Sequence, residues 1–174
     1  MGSTAITVIG NDQPGIVAAV TCALFDVGCN LEDVSSTILR GHFSMTMIAE
    51  APPGVEAEGL EDRLSAVASE MDLVVTARPV DETPSLFAPP THMVSVYGAD
   101  KPGIVYRVTD ALARLGVNIT DLNSRLIGEE TDPVYALQIE VQAPIGSNLD
   151  EVLPPLREEL GVDLSVHPIE ADVL

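Results

Sequence analysis

The sequence predicts an α+β protein: two copies of one βαββαβ unit in tandem, each an antiparallel sheet with its helices on one face. Three observations predict it. First, the chain repeats itself. Thr7 to Leu39 reads TVIGNDQPGIVAAVTCALFDVGCNLEDVSSTIL, and Ser95 to Ile127 reads SVYGADKPGIVYRVTDALARLGVNITDLNSRLI; they align without a gap, with roughly half of the positions identical. Second, each copy passes from alternating to helical apolar spacing and back in the same order. Third, DETPSLFAPPT, residues 81–91, carries three prolines and neither period, so it reads as a linker. The units are therefore expected at 1–80 and 92–174. Units of about 80 residues lie near the lower end for independent stability, so each is expected to pack against the other or against a second chain.

The elements follow in order. Ala5 to Ile9 and Met93 to Tyr97 are β-branched and apolar, hence first strands, with Ile6, Val8, Val94 and Val96 facing the core. Ile16, Val17, Val20, Leu24 and Val27 recur at helical spacing, and Ile104, Val105, Val108, Leu112 and Leu115 repeat the stripe. Gly28 and Gly116 stand where a left-handed C-cap is expected. The second strands, from about Cys29 to Leu39 and Val117 to Ile127, change phase within themselves. One extra residue resets which face points inward, so a β-bulge is expected near Asp33 and Asp121.

A turn at Arg40-Gly41, longer in the second copy (Gly128 to Asp132), leads to third strands. Phe43, Met45 and Met47 alternate in one, and Tyr135, Leu137, Ile139 and Val141 in the other. Second helices are expected from about Glu56 to Met71 and from about Asn148 to Leu160, the latter kinked or shortened by Pro154-Pro155. Leu73 to Val80 and Val162 to Ile169 close the copies as fourth strands. This order is the ferredoxin-like one. The face away from the helices carries Thr7 and Ile9, or Ser95 and Tyr97, a mixed surface that is solvated or paired; sheets with such a face often pair, so a homodimer is expected.

Composition narrows the function. With 8 Lys and Arg against 27 Asp and Glu, the formal charge is −19. No basic stripe offsets it, so direct binding to nucleic acid is not expected, because the phosphate backbone supplies most of the affinity there. Cys22 and Cys29 are the only cysteines, too few and wrongly spaced for a structural zinc site. They read as small residues in or near the core of a reduced protein. Met1-Gly2-Ser3-Thr4 has no basic leader, and no apolar run approaches the roughly 20 residues that span a bilayer. A soluble, cytoplasmic chain without membrane attachment is expected.

The motif that can carry chemistry is Gly-x-Asp-x-Pro-Gly-Ile-Val, at Gly10 to Val17 and Gly98 to Val105. Gly10 and Gly98 end a strand where the chain turns and positive φ is expected. Asp12 and Asp100 stand upstream of a helix, where a carboxylate accepts from free N–H groups. Pro14 and Pro102 suit a first helical turn. Gly15 and Gly103 permit close approach of a backbone or a ligand. A well-made strand-to-helix turn needs these residue types whether or not anything binds. The functional alternative is that loop amides and the helix dipole hold a ligand carboxylate while Asp12 or Asp100 faces its ammonium group. One helix later, Asn30 with Asp33 and Asn118 with Asp121 offer donors and acceptors beside the bulge; the two Asn are equally read as left-handed residues after the helix cap.

GNDQPGIVAAVTCALFDVGCNLEDV and GADKPGIVYRVTDALARLGVNITDL resemble the ACT domain signature, twice. The tandem covers nearly the whole chain and is similar to the glycine cleavage system transcriptional repressor family, whose members consist of two ACT domains. Gly41 to Pro52, GHFSMTMIAEAP, is similar to that family's third strand. The resemblance implies ferredoxin-like modules that bind amino acids and related small ligands, often at interfaces between two modules. Ligand contacts in such modules fall on the first loop and the start of the second strand. Carried over, these are Asn11, Asp12, Gly15 and Ile16 with Asn30 and Leu31, and Ala99, Asp100, Gly103 and Ile104 with Asn118 and Ile119. The copies differ at Asn11/Ala99 and Gln13/Lys101, so two sites would not be equivalent.

No catalytic set competes with this reading. His42, His92 and His167 are scattered, the acid pairs Glu129-Glu130 and Glu158-Glu159 read as solvated, and there is neither a nucleophile elbow nor a phosphate-cradling loop with a Lys. A non-catalytic regulator that binds a small amino-acid-like ligand and modulates a partner, without metal or cofactor, is expected. A ligand-independent module that sequesters a regulatory protein or enzyme is the alternative.

Overall fold

A computed structural model describes residues 2–80, 89–129 and 132–169. Contacts divide the chain into two compact units, Met1–Ser85 and Leu86–Leu174. The first runs β1 (Ser3–Asn11), α1 (Ile16–Val27), β2 (Asn30–Leu39), β3 (His42–Glu50), α2 (Ala57–Glu70) and β4 (Leu73–Val80). The second runs β5 (His92–Gly98), α3 (Ile104–Arg114), β6 (Asn118–Glu129), β7 (Asp132–Gln142), the short helices α4 (Leu149–Val152) and α5 (Pro154–Leu160), and β8 (Asp163–Pro168). Each sheet is antiparallel, ordered β2-β3-β1-β4 and β6-β7-β5-β8. This is the ferredoxin-like arrangement, twice.

Each core lies between one sheet face and the helices. Ile6 and Val8 of β1 and Phe43, Met45 and Met47 of β3 meet Ile16, Val20 and Leu24 of α1 and Leu60 and Leu64 of α2. The second core repeats this with Val94, Val96, Leu137, Ile139 and Val141 against Ile104, Val108, Leu112 and Leu153. Val17 and Val105, counted into the helical stripes above, are instead 45% and 37% exposed. One residue on from Ile16 and Ile104, each is turned about 100° around its helix, off the narrow stripe that faces the sheet.

The punctuation follows local sequence. Arg40 (φ 51°) and Gly41 (φ 82°) form a two-residue hairpin between Leu39 and His42, where both central residues need positive φ. In the second copy the ladder reaches Glu129 opposite Asp132, so Gly128, Glu129 and Asp132 of the predicted longer turn are strand residues; residues 130–131 lie outside the described ones, as do Glu130 of the first acid pair and residues 81–88 of the predicted linker. The register shifts between Leu31 and Asp33 and between Ile119 and Asp121, which places a bulge in both second strands. Gly28 (φ 87°) caps α1, and its amide donates to Leu24 and Phe25 carbonyls. Pro154 and Pro155 break the fourth helical segment into α4 and α5 at Leu153. Thr91, the last residue of the predicted linker, is tied to the second sheet: its N–H donates to the Val141 carbonyl (2.7 Å), and its hydroxyl accepts from the Ala143 N–H (2.9 Å).

Candidate functional site

The strand-to-helix loops are built alike in both units. The chain leaves β1 at Asn11, and the Asp12 N–H donates to the Gly41 carbonyl (2.8 Å), so the loop is tied to the β2–β3 hairpin. Pro14 and Gly15 then make a turn before Ile16. Gly15 has φ 97°, ψ −7°, and Gly103 has φ 94°, ψ −6°, the values of the third residue of a type II turn. Pro14 and Pro102 thus precede the N-cap rather than opening the helix, because a type II turn takes its proline at the second position.

The two glycines of the motif have different causes. Gly15 and Gly103 need positive φ; a Cβ there meets only Met71 Cε at 4.0 Å at the first and nothing within 4 Å at the second. Gly10 and Gly98, expected to need positive φ, do not have it. They are glycine for want of room: a Cβ on Gly10 falls 2.5 Å from Leu73 Cδ2, and one on Gly98 falls 2.8 Å from Val162 Cγ1. β1 passes so close to the start of β4, and β5 to the residue before β8, that no side chain fits between.

The helix entrances are uncapped. Neither α1 nor α3 has a side-chain cap bond, so Asp12 and Asp100, expected to accept from free helix amides, do not cap. The left-handed glycine occupies the N-cap, and the aspartates lie three residues upstream of it, out of the usual capping register. Gly15 and Gly103 carbonyls accept from Ala19 and Arg107 N–H at 2.9 Å. Among the described residues nothing accepts from the amides of Ile16, Val17 and Ala18, or of Ile104, Val105 and Tyr106. Ile16 and Ile104 are buried, but Val17, Ala18, Val105 and Tyr106 are exposed, so both entrances carry unbonded N–H groups on exposed residues at the positive end of a helix, with an exposed Asp in the loop before it.

Gln13 and Lys101 differ chemically but do one job. The Gln13 amide donates to the Met71 carbonyl (2.7 Å), and the Lys101 ammonium donates to the Leu160 carbonyl (3.2 Å). Each closes the C-terminal end of the second helical segment of its unit, so this difference marks a structural contact. Asn11 and Ala99, at the strand ends, are the remaining contrast; Asn11 lies opposite His42.

The candidate residues divide into two clusters. Asn11, Asp12, Gly15 and Ile16 stand at the His42 end of the first sheet, whereas Asn30 and Leu31 pair with Glu50 and Ala49 at the other end. Eight rungs at about 3.4 Å each separate the ends by roughly 27 Å. In the second unit Ala99, Asp100, Gly103 and Ile104 lie beyond Gly98, which pairs with Tyr135, while Asn118 and Ile119 pair with Gln142 and Val141. No unit brings its own two clusters together. Asn30 and Asn118 are extended strand residues, not left-handed ones, and each opens an edge strand.

Beside Leu31 a groove of about 420 Å³ runs between α1 and the start of β2, lined by Ala18, Thr21, Cys22, Phe25, Cys29 and Leu31. Cys22, expected near the core, is exposed there, whereas Cys29 packs against the core, and burial pushes its thiol pKa up. Phe25 is 78% exposed. The matching face of α3 is different: Cys22 is replaced by Asp110, which pairs with Arg114 (2.8 Å), and Phe25 by Ala113. The usable signal was composition, since IVAAVTCALFDV is apolar on nearly all sides and IVYRVTDALAR is not.

His92 and His167 lie on neighbouring strands but on opposite faces, His167 facing Met93, and His42 is in the other unit. Among the described residues no group of three His, Cys, Asp or Glu is placed to hold a metal ion, and no helix is long and apolar enough to cross a membrane.

The ACT domain family profile matches residues 4–78 and again 91–167. The chain belongs to the ACT domain family. It is 27% identical to the glycine cleavage system transcriptional repressor of Escherichia coli over 94% of its own length and 88% of the repressor's. It is 30% identical to the phosphoserine phosphatase SerB2 of Mycobacterium tuberculosis, also over 94% of its length, but spans only 40% of that protein. A crystal structure of an unknown protein from Galdieria sulphuraria matches the fold with a TM-score of 0.80, covering 97% of this chain and 98% of that one at 24% identity. The tandem ferredoxin-like architecture and the relationship to repressors of this type follow from these matches.

Proposed function

We propose that this chain is a non-catalytic regulator, acting in the cytoplasm, whose strand-to-helix loops hold the carboxylate of a small amino-acid-like ligand. One observation carries the reading: both helix entrances are uncapped, with left-handed Gly15 or Gly103 at the N-cap and the first-turn amides without a protein acceptor among the described residues. Asp12 or Asp100, exposed beside them, meets the ligand's ammonium group. The family membership and the kinship to a transcriptional repressor support regulation of a partner over catalysis.

The separation of the clusters shapes the proposal. A ligand at the Gly15 loop cannot touch Asn30 of the same unit, so Asn30, Leu31, Asn118 and Ile119 contribute only when another module's second strand lies beside the loop. Association of modules is thereby part of the site. The apolar outer face of α1, with Phe25 exposed and no charged residue lining its groove, supports a homodimer as the source of that neighbour. In a chain of charge −19 the lining of this groove carries no charge.

A thermal-shift panel of the twenty common L-amino acids tests this. At ligand 100-fold above Kd, binding adds about 2.7 kcal/mol to folding stability, a readily measured shift. A flat response from folded protein, together with stable capture of a protein partner in the absence of ligand, would favour a ligand-independent interaction module instead.

A further inference from the structure

The helix-free face of the second sheet carries a polar depression that the loops do not explain. Register places it residue by residue. Asn123 of β6 faces Gln138 of β7, which faces Ser95 of β5; one row on, Arg125 faces Ala136, which faces Tyr97. The alternate positions, Val96, Leu137 and Ile139, are buried in the core, so this set points away from the helices. Ala136 is short between Arg125 and Tyr97, and a concavity of about 330 Å³ opens there, lined by Tyr97, Asn123, Arg125, Ile127, Ala136 and Gln138.

The duplication supplies an internal control. The first sheet has the same register, yet the matching positions are Ile9, Ser35, Thr37, Leu39, Ser44 and Thr46. Guanidinium, amides and phenol have thus all been placed on one copy, although the fold is equally served by hydroxyl and aliphatic residues. Charge sharpens the contrast. Among the described residues the ion pairs are made by Arg107, Arg114 and Arg157, and none by Arg125. Two acids on the same face are engaged elsewhere: Asp163, opposite Tyr97, accepts from Arg157 at 2.6 Å, and Asp121 accepts from the Asn123 amide at 2.6 Å. Among the described residues Arg125 is a cation without an ion-pair partner, in a chain with 27 acidic residues.

We infer that this depression is a second ligand site, for a small molecule bearing an oxyanion group, carboxylate or phosphate, that Arg125 binds in a forked pair of hydrogen bonds. Asn123 and Gln138 present amide groups to the ligand's neighbouring polar atoms, and Tyr97 and Ile127 line the walls. The site is separate from the helix entrances, and it stands or falls independently of the proposal made for them.

The test is an NMR titration of the full ¹⁵N-labelled chain with L-malate and, separately, inorganic phosphate, reading the Arg125 Nε–Hε and the Asn123 and Gln138 side-chain amides. Sodium chloride at matched ionic strength is the control. The inference expects saturable shifts of these signals with at least one of the two anions, and which one saturates assigns carboxylate or phosphate. Arg125→Thr installs the residue that the first copy carries at that position, so the fold tolerates it, and it should weaken the affinity at least tenfold. Arg125→Lys should retain part of it, since an ammonium keeps the charge but loses the fork. Shifts that chloride reproduces, shifts that never saturate with either anion, or an Arg125→Thr variant that titrates like the parent would each overturn the inference.

Discussion

Asp12→Ala and Asp100→Ala separate a structural aspartate from a ligand-facing one. A capping Asp replaced by Ala costs about 0.5–2 kcal/mol. Neither residue makes a cap bond, so no such bond is lost. What remains is the attraction of an exposed carboxylate to the helix entrance, screened by salt. Folding stability of either variant in moderate salt should therefore stay within about 0.5 kcal/mol of the parent. Ligand affinity behaves differently if each carboxylate meets an ammonium group. Loss of a hydrogen bond to a charged partner is worth about 1.5–3 kcal/mol, or roughly a 10- to 150-fold rise in Kd. Urea denaturation followed by circular dichroism gives the first quantity. Calorimetric titration with the amino acid that most raises the melting temperature gives the second. Variants that lose more than about 1 kcal/mol of stability while binding as the parent does would refute the reasoning, since the aspartates would then be serving the fold.

Three further outcomes are expected. Gly98→Ala should destabilise the second unit by about 1–3 kcal/mol through overpacking, because its Cβ would lie 2.8 Å from Val162 Cγ1. Combined with Val162→Ala it should cost clearly less than the two single changes summed, and additive losses in a double-mutant cycle would contradict the crowding argument. Iodoacetamide pulses at neutral pH, read by mass spectrometry, should modify exposed Cys22 well before Cys29, whose thiol pKa burial has raised. The sign for stability follows: the folded chain holds the Cys29 proton more tightly, so that contribution is complete below the unfolded thiol's value and is lost as pH rises through the raised one; equal alkylation rates would contradict both statements. Phe25→Arg places like charges at the α1 face of two copies, so sedimentation velocity should show a dimer for the parent and a monomer for the variant, and a monomeric parent at micromolar concentration would end the dimer proposal.

Much of the architecture was legible in the sequence because local rules and the repeat agreed. Gly28, Arg40-Gly41, Pro154-Pro155 and the phase slips before Asp33 and Asp121 each announce a feature through a backbone requirement. Gly10 and Gly98 were misread because crowding by Leu73 and Val162 is a tertiary fact that no local window contains. The aspartates were misplaced by a single choice: once Pro-Gly forms a type II turn, the N-cap moves to the glycine. That Asn30 lies a sheet's length from Gly15 was implicit in the strand order, since a helix that returns along the sheet carries the chain to its far end. The exposed face of α1 needed burial to be seen, because Cys22 and Phe25 look like core residues in a list.

The account rests on open amides at two helix entrances, and an amide-resolved titration reaches them directly. Assigned ¹⁵N spectra of the full chain, recorded against the same twenty L-amino acids, should show saturable shifts centred on Ile16, Val17 and Ala18 or on Ile104, Val105 and Tyr106 for at least one ligand. If every amino acid leaves both sets of amides where they began, while the spectrum remains that of a folded protein, the entrances are not carboxylate sites and the proposed function is wrong.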